Sequence, residues 1–452
     1  MFAQSDCSVP VLNSNPIDFV PGDDTGLSIP AHGEALRGGG EALLTQAFRR
    51  FGALSDANLV KRITRWEKCP GGSTGQKFYL SVEYERPEPN LHTDLFVKFS
   101  RDFNDQIRDD RGKYEMESEV RLAALARLQS FPIRVPKPYF ADFHGESKTG
   151  VLITQQIAFG VDGVEPHRPK CLDHEMQDAL AHYKTILSAL ARIAAAHKSG
   201  RLSPDIAERF PYDRAAAAPV APIGYDEPQM HELVRQYADF AVRCPQLLPP
   251  AVRRPQFIAE LDRDACRVLQ HEAAIKRFLQ SNPNLIALCH WNAQIDNAWF
   301  WRDAVGDLQC GLLDWGHVGQ MNLAFPLWGC LCGADQEIWD DHFEELLTLF
   351  TDEFHRHGGS RIDVSELKLH LLMYMALMGV SFFMASPSRI LLRMPEAVHA
   401  TGPRDPIFRT NETARNNLHC LSIFLSLWES QKFGSVLDEF LKGSRRDESV
   451  AI

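Results

Sequence analysis

The sequence predicts an α+β protein in two parts, a small strand-rich first part and a large helical second part. Three observations carry this. Apolar residues alternate at period 2 in the first third, they recur at helical spacing from about residue 175 onward, and one short hairpin interrupts the helical text. With 452 residues, 44% of them hydrophobic, the chain has ample material for a core and exceeds one simple domain.

Residues 1–40 are rich in Pro, Gly, Ser and Asp, show no period, and read as an extended or disordered arm. Residues 41–52, "EALLTQAFRRFG", predict a helix that stops at Gly52. "LVKRITRW" (59–66) reads as a strand, and "EKCPGGSTGQ" (67–76) as the turn after it. Phe78, Leu80, Val82 and Tyr84 then alternate with polar neighbours, which predicts a half-buried partner strand. "DLFVKFS" (94–100) and "VLITQQI" (151–157) are further strands. "YEMESEVRLAALARLQ" (114–129) is an amphipathic helix with Leu122, Leu125 and Leu128 on one stripe.

Helical patterns follow at 178–200, 229–244, 255–280 and 335–354, with a Pro/Ala-rich loop at 211–228. The small hairpin is Ala298–Arg302 with Leu308–Leu313. The most apolar run, Leu371–Ala385, is shorter than the ~20 residues of a membrane span, so it reads as a core helix whose start Asp363 and Glu366 cap.

Composition bounds the partners. Net charge is −11, which excludes nucleic acid as the main partner because phosphate binding needs a basic footprint. Ten cysteines without a C-x-x-C pair suit buried free thiols and a cytoplasmic, reducing setting. The N-terminal text has neither the basic nor the apolar region of a signal peptide, and no membrane association is expected.

The chemistry is concentrated in "LCHWNAQIDNAWFW", residues 288–301. His290, Asn292 and Asn297 repeat the H-x-D-x-x-x-x-N layout of a phosphoryl-transfer catalytic loop, with Asn292 at the D position. If the hairpin forms, Asn297 and Asp314 lie side by side although 17 positions separate them, and an amide oxygen with a carboxylate suits Mg²⁺. Upstream, the hairpin loop "PGGSTG" (70–75) lacks the G-K-[ST] of a Walker A loop and joins two strands, as a phosphate-covering glycine loop does in kinases. Lys98 sits amid apolar strand residues and needs a counter-ion, for which Glu119 is the best candidate, ahead of Glu115 and Glu117.

In that order these features resemble the aminoglycoside phosphotransferase and choline-kinase-like family. Its patterns are H-G-D-x-x-x-x-N and I-D-[WF]-[GE]; the matching text here is "CHWNAQIDNAWFW" and "GLLDWGHVG", over about residues 50–350. The resemblance implies a bilobal protein-kinase-like fold. A β-rich, nucleotide-binding N-lobe would span 41–157, and a helical C-lobe with the catalytic-type loop and substrate pocket 158–452. It implies ATP and Mg²⁺ as cofactors and transfer of the γ-phosphoryl group to a small-molecule hydroxyl, an amine-bearing acceptor being one option. Lys98, Glu119, Gly72, Ser73, Thr74 and Gln155 would contact nucleotide, Asn297 and Asp314 would hold metal, and Asn292, Asp296 and His290 would serve the reaction, His290 as an orienter packed under the D-W-G.

Two departures bear on activity. The family's base aspartate falls on Asn292, and "GQMNLAFPLWGCL" lacks the carboxylates that usually follow the D-W-G. An amide cannot take a proton near neutral pH, so a slow enzyme or a silent nucleotide- or partner-binding protein is the alternative. Asp296 is the substitute base to consider. Asp just before the metal Asn also resembles the selenoprotein-O-type adenylyltransferases, which implies AMP transfer as a further alternative. His355 and His357 read as helix-end residues rather than ligands, and the acids of 335–354 as a solvated face.

Overall fold

The computed structural model describes residues 17–70, 72, 74–213 and 222–450. They form two compact units. One comprises the residues up to Ala124 together with Lys137–Gln156, and the other Leu125–Pro136 and the residues from Ile157 on.

Residues 17–40 of the expected arm are structured, with a hairpin of β1 (Phe19–Pro21) and β2 (Ser28–Pro30), while residues 1–16 of that expectation lie outside the described residues. Asp142 explains why it is ordered: its carboxylate accepts the backbone N–H groups of Asp24 and Thr25, both at 3.1 Å. Val20 and Ile29 go into the core. Helix α1 (Gly33–Phe51) starts eight residues before the expected position, behind an N-cap at His32. Gly40, at φ 57°, kinks it, and Gly52 at φ 75° ends it in the left-handed conformation that glycine adopts without steric cost. The Pro/Gly-rich text has no period to announce either element.

A five-stranded antiparallel sheet follows, built from β3 (Val60–Lys68), β4 (Gln76–Tyr84), β5 (Asp94–Phe99), β6 (Pro138–His144) and β7 (Thr149–Gln155), in the order β3-β4-β5-β7-β6. On β4 the residues Phe78, Leu80, Val82 and Tyr84 are all buried, as their alternation requires. Strand β6 carries no such signal because six of its seven residues are buried, leaving no polar face. Helix α2 spans Gln106–Leu125, starting and ending earlier than expected. Leu122 and Leu125 are buried, but Leu128 lies beyond the helix end and is 42% exposed, so it leaves the proposed stripe.

Two glycines set how the glycine loop meets α2. A Cβ on Gly75 would stand 1.8 Å from the carbonyl oxygen of Phe99, and one on Gly112 would stand 1.9 Å from that of Ser100. Helix α2 therefore rests directly on the backbone at the end of β5.

The second unit is mainly helical. Its first helices are α3 (Ala179–Lys198), α4 (Ile206–Arg209), α5 (Glu227–Arg243), α6 (Pro255–Gln270) and α7 (Glu272–Leu279). Two antiparallel ribbons come next, β9 (Ala298–Arg302) with β10 (Leu308–Leu312), and β8 (Ile286–Cys289) with β11 (Gly319–Asn322). The chain continues through α8 (Ala324–Leu331), α9 (Gln336–Arg356), α10 (Val364–Met378), α11 (Ser386–Arg393), α12 (Glu412–Ser430) and α13 (Phe433–Val450). Asp363 caps α10 by accepting from the N–H groups of Ser365 and Glu366. With the π-turn that extends it to Phe383, α10 is the one described helix long and apolar enough to cross a membrane, and 67% of that apolar window is buried inside the protein. The acids of α9 pair outward, Glu345 with Lys184 and Glu344 with Lys368, while its apolar face is buried. His355 bonds the carbonyl of Gly359 and His357 lies 3.3 Å from Glu353, both at the helix end.

Gly112→Ala should destabilise the protein by about 1–3 kcal/mol, because a backbone oxygen cannot move aside as a side chain can. Gly38→Ala, where nothing lies within 4 Å of an added Cβ, should leave stability unchanged or raise it by about 0.4–1 kcal/mol. Denaturant midpoints of the two variants check the pair.

Candidate functional site

The residues of the catalytic-type loop come together around Leu313, the residue before Asp314. Its N–H donates to the carbonyl of Asn297 at 2.9 Å. Its own carbonyl lies 3.0 Å from Nε2 of His290. Nδ1 of His290 accepts the backbone N–H of Asn292 at 3.1 Å, which leaves Nε2 to carry the proton and donate to Leu313. Both ring nitrogens of this fully buried histidine are thus engaged by backbone, and the Trp315 ring packs over it at 4.4 Å between centroids. His290 is a positioning residue.

Strand register completes the arrangement. Ala298 pairs with Leu312, so the residues just outside the ribbon, Asn297 and Leu313–Asp314, emerge together. Nδ2 of Asn297 donates to the carbonyl of Asn292 at 2.8 Å, which closes the loop, while Oδ1 accepts no hydrogen bond among the described residues. Asp314 is exposed and holds a left-handed backbone at φ 62°, a conformation that aspartate tolerates better than most residues. An amide oxygen and a carboxylate carried at adjoining backbone positions are hard oxygen donors, a chemistry that fits a Mg²⁺ that keeps several waters.

The two candidate bases differ sharply. Asn292 is half-buried, and its side-chain amide makes no hydrogen bond among the described residues. Asp296 faces Lys170, 3.2 Å from Oδ2 to Nζ, while its Oδ1 is buried without a partner. Burial raises the pKa of this carboxyl against the pull of Lys170. Burial opposes the Lys170 charge in turn, but Asp296 and Glu412 more than offset it and its pKa lies above the ordinary value. Asp173 shares this acidic interior. Its carboxylate accepts the Tyr183 hydroxyl at 2.5 Å, and burial, with Asp335 and Asp296 nearby, pushes it up to about 7.

Two residues that sequence reasoning missed support the loop from beneath. A Cβ on Gly329 of α8 would stand 1.8 Å from the carbonyl oxygen of Trp291, so only glycine lets α8 approach the loop. A lone Gly inside an apolar helical run was the available signal. Lys170 had none, because its partner is distant in sequence. Trp291 itself is anchored by donation from Nε1 to the Tyr374 hydroxyl at 2.7 Å.

In the strand-rich unit, Lys98 Nζ lies 2.8 Å from Glu119 Oε1, with side chains 13% and 11% exposed. Glu117 instead pairs with Arg121 and Lys148. Gly72 has φ 80°, and its carbonyl accepts from Arg108 at 2.8 Å. Thr74 is half-buried, and Ser73 lies outside the described residues. Gln155 ends β7 one residue before the unit boundary, and its side-chain oxygen accepts from the Lys137 N–H at 3.5 Å.

No protein-family model and no curated protein matches the sequence. Solved structures similar to this chain are choline/ethanolamine kinases and aminoglycoside phosphotransferases. A choline/ethanolamine kinase family protein from Mesorhizobium loti is 14% identical, with 87% of this chain and 98% of that chain covered at a TM-score of 0.39. Choline kinase from Cryptosporidium parvum is 12% identical over 88% and 97%, at 0.41. A spectinomycin phosphotransferase is 12% identical over 81% and 94%, at 0.40.

His290→Ala should cost about 2–4 kcal/mol, since it opens a cavity and leaves the Leu313 carbonyl and the Asn292 N–H unpaired; urea unfolding measures it. Asp173 sets a pH dependence. Between about pH 4 and 7 the folded protein holds a proton there that the unfolded chain has released, so stability should fall by a few kcal/mol as pH rises through that window. Asp173→Asn should flatten the slope in melts recorded across it.

Proposed function

We propose that this chain is an ATP- and Mg²⁺-dependent phosphotransferase acting on the hydroxyl of a small molecule, built on a bilobal kinase-like plan. The observation that supports the reading is the Leu313 clamp, which ties the backbone of Asn297 to the residue before Asp314. Mg²⁺ bound by Asn297 and Asp314 would neutralise charge on the nucleotide phosphates. In kinases a strand lysine paired with a helix glutamate steers the nucleotide phosphates, and the ion pair of Lys98 with Glu119 within the strand-rich unit supports that role. In the transfer the acceptor oxygen would bond to the γ-phosphorus, the bond from that phosphorus to the β–γ bridging oxygen would break so that ADP leaves, and the hydroxyl proton would pass to solvent water.

Asn292 accepts a hydrogen bond from the acceptor hydroxyl and orients it but cannot take its proton. Positioning and charge stabilisation then supply the catalysis, and turnover is slow. The nine described cysteines are free thiols, which supports a cytoplasmic site of action, and the acidic net charge supports a small-molecule partner over nucleic acid.

A second reading, a silent protein that binds nucleotide without turnover, is favoured by Asn292 and by the absence of carboxylates in "GQMNLAFPLWGCL". AMP transfer with Asp296 as base is disfavoured by the ion pair of Asp296 with Lys170.

Calorimetry with Mg-ATP is expected to detect binding by the wild-type chain and none by Asp314→Ala. Folded protein that does not bind would overturn both nucleotide readings. Asn292→Asp should raise ATP turnover by about 10²–10⁴-fold by restoring a general base; no turnover in either form would leave the silent reading standing. Phosphate rather than AMP on the product, read by mass spectrometry, separates phosphoryl from adenylyl transfer.

A further inference from the structure

Away from the catalytic-type loop, helices α5 and α6 bring four side chains with metal-binding chemistry together. Glu227 and His231 are four residues apart on α5, and Asp262 and Cys266 are four apart on α6, so each pair shares one helix face. Ligand atoms of Glu227, His231 and Cys266 all lie within 4.8 Å of one another. Cys266 Sγ is 3.8 Å from Nε2 of His231, and Glu227 Oε1 is 3.9 Å from the same nitrogen. Nδ1 of that ring faces Asp262 Oδ1 at 2.8 Å.

We infer that Glu227, His231 and Cys266 bind a soft divalent cation of the Zn²⁺ class, with Asp262 orienting the histidine. With metal bonds of about 2.0–2.3 Å, donors around a tetrahedral zinc stand about 3.3–3.6 Å apart. The two contacts to Nε2 therefore need to close by only a few tenths of an ångström. Glu227, half of whose side chain is exposed, is free to swing inward. The Cys266 sulfur stands 3.8 Å from Nε2 and 3.9 Å from Nδ1 of the ring, but Nδ1–H is committed to the Asp262 carboxylate, which fixes the tautomer and leaves Nε2 as the nitrogen able to accept a metal. An ion pair explains His231 with Asp262, but it does not explain a buried thiol seated against the same ring. Thiolate and imidazole together favour Zn²⁺ over Mg²⁺ or Ca²⁺.

Three protein ligands leave a fourth position open to water or to an exogenous ligand. On binding, the thiol proton passes to solvent and the sulfur–metal bond forms, with no redox change. The site would pin α5 to α6, so the cation would raise the stability of this helical pair.

Cobalt(II) titration of the metal-free full chain tests the inference. The expected result is a thiolate-to-cobalt charge-transfer band that saturates at one equivalent, persists in excess Mg²⁺ and is displaced by Zn²⁺. Cys266→Ser should abolish it. So should His231→Gln, a change at a 44%-exposed side chain that leaves the fold intact. Asp262→Asn should weaken the affinity by about 10–100-fold while keeping the band. Absence of the band in folded wild-type protein, or its survival in His231→Gln or Cys266→Ser, would overturn the assignment. None of these readouts depends on nucleotide binding.

Discussion

The candidate site depends on the two backbone hydrogen bonds of Leu313. Its N–H is tied to Asn297 and its carbonyl to His290, so the segment that carries Asp314 is fastened at one residue to both ends of the catalytic-type loop. The β9–β10 register delivers Leu313 to that position, and the loop closes through Asn292, which bonds His290 with its N–H and Asn297 with its carbonyl. Four hydrogen bonds thereby satisfy eight backbone or side-chain groups within one small volume, and leaving any of them unpaired in a buried setting would cost about 1–3 kcal/mol. The left-handed backbone of Asp314 persists because its neighbours over-determine it.

This clamp explains how the loop can keep the layout of the proposed metal site while residue 292, at the proposed base position, varies. Asn297 and Asp314 are fixed by strand register and hydrogen bonds that involve mostly backbone, and those do not depend on what occupies 292. Asn292 contributes its N–H and carbonyl to the clamp, and an aspartate would contribute the same two groups. Its side chain is not used to hold the loop. Asp296 is different. Its carboxylate is half committed to Lys170 and half buried without a partner, so it belongs to an acidic interior shared with Asp173 and Asp335 rather than to an open site.

Much of this was legible in the text because it follows short-range rules. The alternation of Phe78, Leu80, Val82 and Tyr84 gives β4 its buried face, the apolar flanks of Lys98 demand the carboxylate that Glu119 supplies, and the 298–312 hairpin brings Asn297 to Asp314. What was not legible depends on partners remote in sequence. The β1–β2 hairpin is ordered by Asp142, more than a hundred positions away, and β6 is buried on both faces and so has no alternation. Lys170 meets Asp296, and Gly329 makes room for Trp291, only after the helical unit has assembled. Helix α2 starts in "QIRDDRGK", where charge conceals the helix and Gly112, a poor helix former, is required by the Ser100 carbonyl.

The central claim is that Asn297 and Asp314 hold one cation through oxygen. Electron paramagnetic resonance of Mn²⁺ with ADP tests it most directly, because the free-ion signal reports binding without any need for turnover. The account predicts that the wild-type chain removes one equivalent of Mn²⁺ from the free signal, and that Asn297→Leu and Asp314→Ala each lose that binding while remaining folded. Wild-type affinity for Mn²⁺ in both variants would contradict it.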